Sequence, residues 1–258
     1  MKRKSYLLSV LVIGFIFLGS GSFAQTGTAI KNIVLVHGAF VDGSGWKGAY
    51  EILVKKGYHV TVVQQPLTSY EEDVAAVNRV LKMQEGPVIL VAHSYGGSII
   101  TTAGNDPMVK GLVFIAAHAP DTGEDEADNG KKYPPAYKSL VKTSDGFDYI
   151  EVSRFHPDFC ADLDAKDAER MAHSQMLAAD AVFHAVIQTP AWRSKPSWYM
   201  IPTLDRIINP ELEHFYAKRA NSVTVEVEGA SHSVYQTHPE KVAALIEEAA
   251  MGADKNKR

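Results

Sequence analysis

The chain has 258 residues, 46% of them hydrophobic, and a formal net charge of -4 from 26 Lys and Arg against 30 Asp and Glu. That is enough apolar material for one α/β domain with a sizeable core. The mild acidity and dispersed basic residues exclude a binder of nucleic acid or other polyanions. Cys160 is the only cysteine, which excludes an intramolecular disulfide and leaves stability to the core.

The chain opens on a leader pattern. Lys2-Arg3-Lys4 is basic, Tyr6 to Leu18 is almost wholly apolar, and Ser22-Phe23-Ala24 puts small residues where a signal peptidase reads. We read residues 1-24 as a signal peptide cleaved after Ala24, leaving residues 25-258 as a secreted or periplasmic domain. The apolar run is short for a full bilayer span, so no stable membrane association is expected after cleavage.

Apolar, β-branched runs predict buried strands at Asn32 to Val36, His59 to Val63, Pro87 to Ala92, Leu112 to Ala117, Trp198 to Ile201 and Val223 to Val227. Helical spacing falls at Trp46 to Lys56, Glu71 to Met83, Ser98 to Asn105, Glu211 to Ala220 and Pro239 to Ala250. This alternation predicts a mostly parallel, doubly wound sheet with ligands at the carboxyl ends of its strands. The rhythm breaks between the strands at Leu112 and Trp198, where Pro134-Pro135, several acidic residues and helix-like pieces around Ala165 to Val186 fill the interval. We read roughly residues 121-195 as an inserted helical cap.

The densest chemical signal is Val91-Ala-His-Ser-Tyr-Gly-Gly97, between an apolar strand and a helix. A sharp turn there would lift the Ser94 hydroxyl out of the sheet edge, as in a nucleophile elbow, with Ala92 in place of the usual first Gly. A serine nucleophile needs a base, a carboxylate to orient that base, and donors for the oxyanion. His232, in the small-residue loop Glu228-Gly-Ala-Ser-His-Ser233 after the last strand, is the candidate base. Asp205, just past the strand at Trp198, is the candidate acid, preferred over Asp164 and Asp180, which lie within the insertion. The chain order Ser94, Asp205, His232 is nucleophile, acid, base. The backbone N–H groups of Ala39 and Tyr95 are the candidate oxyanion hole. His37 and His93 read as structural or pocket-shaping. No paired-Cys or His-Glu-x-x-His spacing points to a metal. His156, His173 and His184 read as solvated helix faces.

Leu35-Val-His-Gly-Ala39, Ala92-His-Ser-Tyr-Gly-Gly97, Thr203-Leu-Asp-Arg206 and Ala230-Ser-His232 together resemble the α/β-hydrolase superfamily over roughly Lys31 to Ala250. More narrowly, the chain is similar to small bacterial members akin to plant methyl esterases and hydroxynitrile lyases. The resemblance implies an α/β-hydrolase fold, a serine esterase acting on a small-molecule ester through an acyl-enzyme, and no cofactor.

Three other activities fit such a scaffold. Hydroxynitrile lyases carry a Lys after the catalytic His and a Thr at the position of Gly38; here Ser233 and Gly38 stand instead, which argues against lyase chemistry. Cofactor-free perhydrolase or haloperoxidase activity uses the same triad. A non-catalytic ligand-binding protein would keep the pocket without turnover. For specificity, Phe40, Tyr95 and His118 are expected to line the substrate. Phe155, Phe159, Met176, Phe183 and Trp192 are expected to add an apolar wall suited to a mainly hydrophobic ester.

Overall fold

A computed structural model of the chain describes residues 29–253; the leader, its cleavage site and the tail from Lys255 to Arg258 fall outside that span. The central sheet has six strands: β1 (Asn32–Val36), β2 (His59–Val62), β3 (Val88–Ser94), β4 (Val109–Ala117), then β8 (Ser197–Pro202) and β9 (Val223–Val227). Their order is β2-β1-β3-β4-β8-β9, and every neighbouring pair is parallel. β3 is buried at all seven positions, as its unbroken apolar run requires, whereas the edge strands β2 and β9 keep exposed residues.

Alternation along the strands feeds two cores. Ile33, Leu35, Ile89 and Val91 pack with Trp46, with α1 (Lys47–Lys55) and with α9 (Pro239–Gly252). Val34, Val36, Leu90 and Ala92 pack on the other face with α2 (Tyr70–Leu81), α3 (Gly96–Ala103) and α7 (Pro210–Arg219). The helices carry the end signals that physics asks for. Ser69 caps α2 through the Glu72 N–H, acidic residues fill its first turn, and Pro210 opens α7 behind an Asn209 cap.

β1 leads to β2 on one side, and the chain then returns to place β3 on the other side of β1. The carboxyl ends of β1 and β3 therefore flank the point where strand order reverses, the place such sheets leave a crevice. The elements in the loops beyond those ends decide what that crevice holds.

Between β4 and β8 come α4 (Glu126–Lys132), β5 (Leu140–Lys142), β6 (Phe147–Ile150), α5 (Val152–Phe159), α6 (Ala165–His173) and β7 (Ala178–Ala179). The insertion is thus mixed: β5, β6 and β7 form a small antiparallel sheet beside its helices. The helix-like reading across Ala165 to Val186 holds only to His173. There the chain leaves the helix because the Gln175 side chain bonds both the N–H and the C=O of Ile150, steering the segment into β7 beside β6. One turn of 3-10 helix, Asp180–His184, follows. A last short helix, α8 (Val234–Thr237), sits between β9 and α9. Among the described residues no helix is long and apolar enough to cross a membrane.

Candidate active site

Ser94 ends β3 with φ of 54°, in the left-handed region that an ordinary side chain avoids. The register between β3 and β4 slips between His93 and Ser94, so the chain turns abruptly into α3. The turn needs glycine behind it: a Cβ on Gly97 would collide with the His118 carbonyl oxygen and meet the Ala117 Cβ at 3.0 Å. A non-glycine residue held at positive φ stores strain that its surroundings must over-determine, and such residues cluster at functional sites.

Asp205 and His232 reach Ser94 from separate loops. The Ser94 hydroxyl donates to His232 Nε2 at 2.9 Å, and His232 Nδ1–H donates to Asp205 Oδ2 at 2.6 Å. All three residues are buried. The other carboxylate oxygen of Asp205 accepts the N–H groups of Ile207 and Ile208 at 2.7 and 2.9 Å, which fixes its plane. The Asp205 and His232 loops are also tied directly, Leu204 N–H to Ala230 C=O at 3.0 Å. The structure thus brings together all three residues singled out from sequence, in hydrogen-bond order.

Ala39 sits in the turn after β1 and Tyr95 in the turn after Ser94. Among the described residues neither backbone N–H donates to another protein atom. The turn after β1 comes close enough to Ser94 only because residue 38 is glycine: a Cβ there would lie 2.7 Å from the Ser94 Cβ. Phe40 follows at φ of 65°, its ring 5.9 Å from that of Phe183 in the insertion. An array of this kind can raise a serine hydroxyl's nucleophilicity and leave two unsatisfied amides for a developing oxyanion.

The profile of the alpha/beta hydrolase family matches residues 33–245, from β1 into α9. The chain belongs to that family. A curated relative, the carbendazim hydrolyzing esterase of Nocardioides sp. strain SG-4G, is 29% identical over 111 residues. That match covers 37% of this chain and 45% of the relative, so it spans less than half the relative's length. Among solved structures, a pyrethroid hydrolase from Sphingobium faniae JZ-2 aligns with a TM-score of 0.73 at 21% identity, covering 88% of this chain and 98% of that one. Polyneuridine aldehyde esterase aligns at 0.72 and 17%, covering 84% and 98%. An extracellular α/β-hydrolase from a Paenibacillus species aligns at 0.67 and 21%, covering 84% and 98%. At these identities the likeness is one of fold.

In this α/β hydrolase the remaining histidines near the crevice are held neutral. Burial pulls His37 down to about 4, and its Nδ1–H is spent on the Gly38 carbonyl at 2.8 Å. Burial also lowers His93, whose Nε2–H donates to the His232 carbonyl at 2.9 Å while its ring stacks on Tyr235. His93 therefore anchors the backbone of the His232 loop. His118 follows β4, donates its backbone N–H to the Ser94 carbonyl at 3.1 Å, and is lowered to about 3 by burial and by nearby His232.

Sequence reasoning missed several polar residues behind this site. Glu126, in the first turn of α4, lies 3.4 Å from His118 Nε2, accepts the Ser98 hydroxyl, and is pushed up to about 8 by burial. Asp158, at the end of α5, takes Arg206 Nε at 3.0 Å, Ser139 Oγ at 2.8 Å and Arg154 at 3.1 Å. The Ser231 hydroxyl donates to Asp162. Asp73 on α2 accepts the Tyr95 phenol. One of these carried a signal: Asp73 shares its helix face with Ala76, Val77 and Leu81. An acid on an apolar stripe has to answer to something.

Of the expected apolar wall, Phe155 and Phe159 are fully buried and Phe159 meets His232 edge-on; Phe183 packs on Phe40 and Tyr95, and Met176 packs on the core. Trp192 is part of the same core. It also lines a cavity of about 1070 Å³ with Val109, Ser197 and Val223, the starts of β4, β8 and β9, at the opposite end of the sheet. Its indole N–H is tied to the Pro120 carbonyl at 3.1 Å, just past β4, and its ring stacks under Arg219. A smaller cavity, about 350 Å³, opens beside Phe40 between the Val41 to Gly48 loop and α6.

Proposed function

We propose that this protein is a serine hydrolase that cleaves a small, mainly hydrophobic carboxylic ester through an acyl-enzyme. The observation that carries the reading is the unbroken hydrogen-bond chain from Asp205 through His232 to Ser94, built on a serine at positive φ. In this reading Ser94 Oγ attacks the ester carbonyl while His232 Nε2 takes its proton. The carbonyl oxygen, now an anion, is held by the amides of Ala39 and Tyr95. Collapse of the tetrahedral adduct expels the alcohol, which leaves with the proton returned by His232. Water then repeats the sequence on the acyl-enzyme, and the acid departs. Asp205 holds the tautomer and stabilises the imidazolium as it forms.

Phe40, in the turn after β1, and His118, after β4, follow the two strands that neighbour β3 in the sheet and are the residues we assign to substrate contact. The relatives named for pyrethroid and carbendazim hydrolysis make those two compounds the first to try, beside simple alkyl esters. The leader pattern at residues 1-24 supports export of the enzyme.

Intact-mass spectrometry after treatment with a fluorophosphonate tests the reading. We expect a single adduct on the parent protein, none on folded Ser94→Ala, and strongly slowed labelling of His232→Ala. An adduct that persists on Ser94→Ala, or a folded parent that takes none, overturns it.

A further inference from the structure

Tyr95 has two functional ends. Its amide is one of the two unsatisfied donors beside Ser94, and its phenol donates to Asp73 Oδ2 at 2.7 Å. Asp73 lies on α2, is fully buried, and spends its other oxygen on the Leu67 N–H at 2.8 Å. Leu67 stands at φ of 60°, and its carbonyl accepts the N–H of Ala179 in β7 at 2.9 Å. One carboxylate therefore joins the residue after the nucleophile, a strained loop after β2, and the insertion.

We infer that Asp73 is a positioning residue that sets the oxyanion site through the Tyr95 side chain. The inference rests on reading the Tyr95 amide as an oxyanion donor. The Ser94 carbonyl, in the same peptide group as the Tyr95 N–H, takes the His118 N–H at 3.1 Å, and no side-chain cap on α3 adds to that hold. The Tyr95 ring is clamped at both ends: the Phe183 ring meets it at 5.7 Å and 71°, and Asp73 holds the hydroxyl. A donor gains its effect on an oxyanion from being aimed beforehand, and small misplacements are expensive in rate. Burial raises both Asp73 and Tyr95 above their ordinary values, so the phenol stays a donor across the working range.

The helix face confirms that this acid is not a solvated charge. Asp73 occupies the stripe that Ala76, Val77 and Leu81 continue into the core, where an aspartate without a specific partner would cost several kcal/mol. Both of its oxygens are matched to partners, so the site is fully satisfied as it stands.

The test uses two substitutions in the full chain. Tyr95→Phe keeps the ring and its packing on Phe183 and removes only the hydroxyl. Asp73→Asn keeps shape and the bond to Leu67 and removes the charge-assisted acceptor. With p-nitrophenyl butyrate we expect kcat to fall about 10-fold in each while KM stays within about two-fold. Inhibition by an alkyl trifluoromethyl ketone, which adds to serine and presents an oxyanion, should weaken by about the same factor. The double variant should be no worse than the poorer single, because both remove one bond. A merely structural role would lower melting temperature and leave the ratio of ketone affinity to KM unchanged. Folded single variants with kcat within two-fold of the parent, or with the loss confined to KM, overturn the inference. A parent that shows neither hydrolysis nor a fluorophosphonate adduct overturns the underlying reading of Ser94 and Tyr95, and the inference with it.

Discussion

The ring of Phe159 stands edge-on to the imidazole of His232, with centroids 4.9 Å apart and planes at 81°, and its carbonyl accepts the Ser233 N–H at 3.2 Å. One residue of the insertion thus holds the His232 loop by ring and by backbone. Its neighbour Asp158 holds the Asp205 loop, through Arg206 Nε at 3.0 Å, and Asp162 receives the Ser231 hydroxyl. The end of α5 is therefore part of the scaffold that keeps Asp205 and His232 in register. Lifting it would loosen both loops at once.

Phe159→Leu follows from that arrangement. Leucine keeps most of the buried volume, so stability should drop by about 1 to 2 kcal/mol. The ring edge against His232 is lost, and the imidazole gains freedom to leave Ser94. We expect kcat to fall about 10-fold with little change in KM, read from ester kinetics beside a denaturant titration. A variant with parental kcat would show that His93 and Asp205 suffice to hold the ring.

Gly38→Ala probes the other side of the crevice. The added Cβ would fall 2.7 Å from the Ser94 Cβ and 3.0 Å from His93 Nδ1, and backbone has to give. The turn carrying the Ala39 amide moves away from Ser94. We expect at least about a 10-fold loss in kcat/KM at a stability cost of about 1 to 3 kcal/mol. Equal activity in the folded variant would count against the Ala39 amide as a donor.

The central sheet was legible because its strands are continuous apolar runs, and β1 and β9 coincide with the expected spans. Ser94, Asp205 and His232 stood out because each stands at or just past the carboxyl end of a strand, and that context is local in sequence. The insertion was harder for a physical reason. β5, β6 and β7 are two to four residues long, too short for periodicity, and are held by distant partners such as Gln175 on Ile150. The supporting acids Asp158, Glu126 and Asp162 lie in that same segment. Arg206 and Ser231, the partners of Asp158 and Asp162, lie 48 and 69 positions away, beyond any local window, and His118, though near Glu126 in sequence, meets it only because the chain turns after β4.

Buried neutral histidines make a prediction for acid. His37 and His118 have folded values near 4 and 3, below the ordinary 6.5. Between 6.5 and 4 the unfolded chain therefore binds protons that the folded chain refuses, and stability is lost as pH falls through that window. Each such histidine steepens the slope by about 1.4 kcal/mol per pH unit. Denaturant titrations at several pH values should show His118→Gln with a shallower slope than the parent, by about one proton. Parallel slopes would mean that His118 is protonated in the folded state.

Glu126 works in the opposite direction. Its folded value, about 8, lies above the ordinary 4.5, so between those limits the unfolded chain ionises and the folded one does not. Stability attributable to this group is full below 4.5 and is lost as pH rises toward 8. At neutral pH the 3.4 Å contact with His118 accordingly joins two uncharged groups, a protonated carboxyl and a neutral imidazole. Glu126→Gln copies that neutral form: the amide can accept the Ser98 hydroxyl and donate to His118. We expect the variant to match the parent near pH 4 and to be the more stable protein near pH 8, by up to about 4 kcal/mol. A parent that stays the more stable of the two at pH 8 would mean that Glu126 is ionised in the fold, and that the contact with His118 is a charged one.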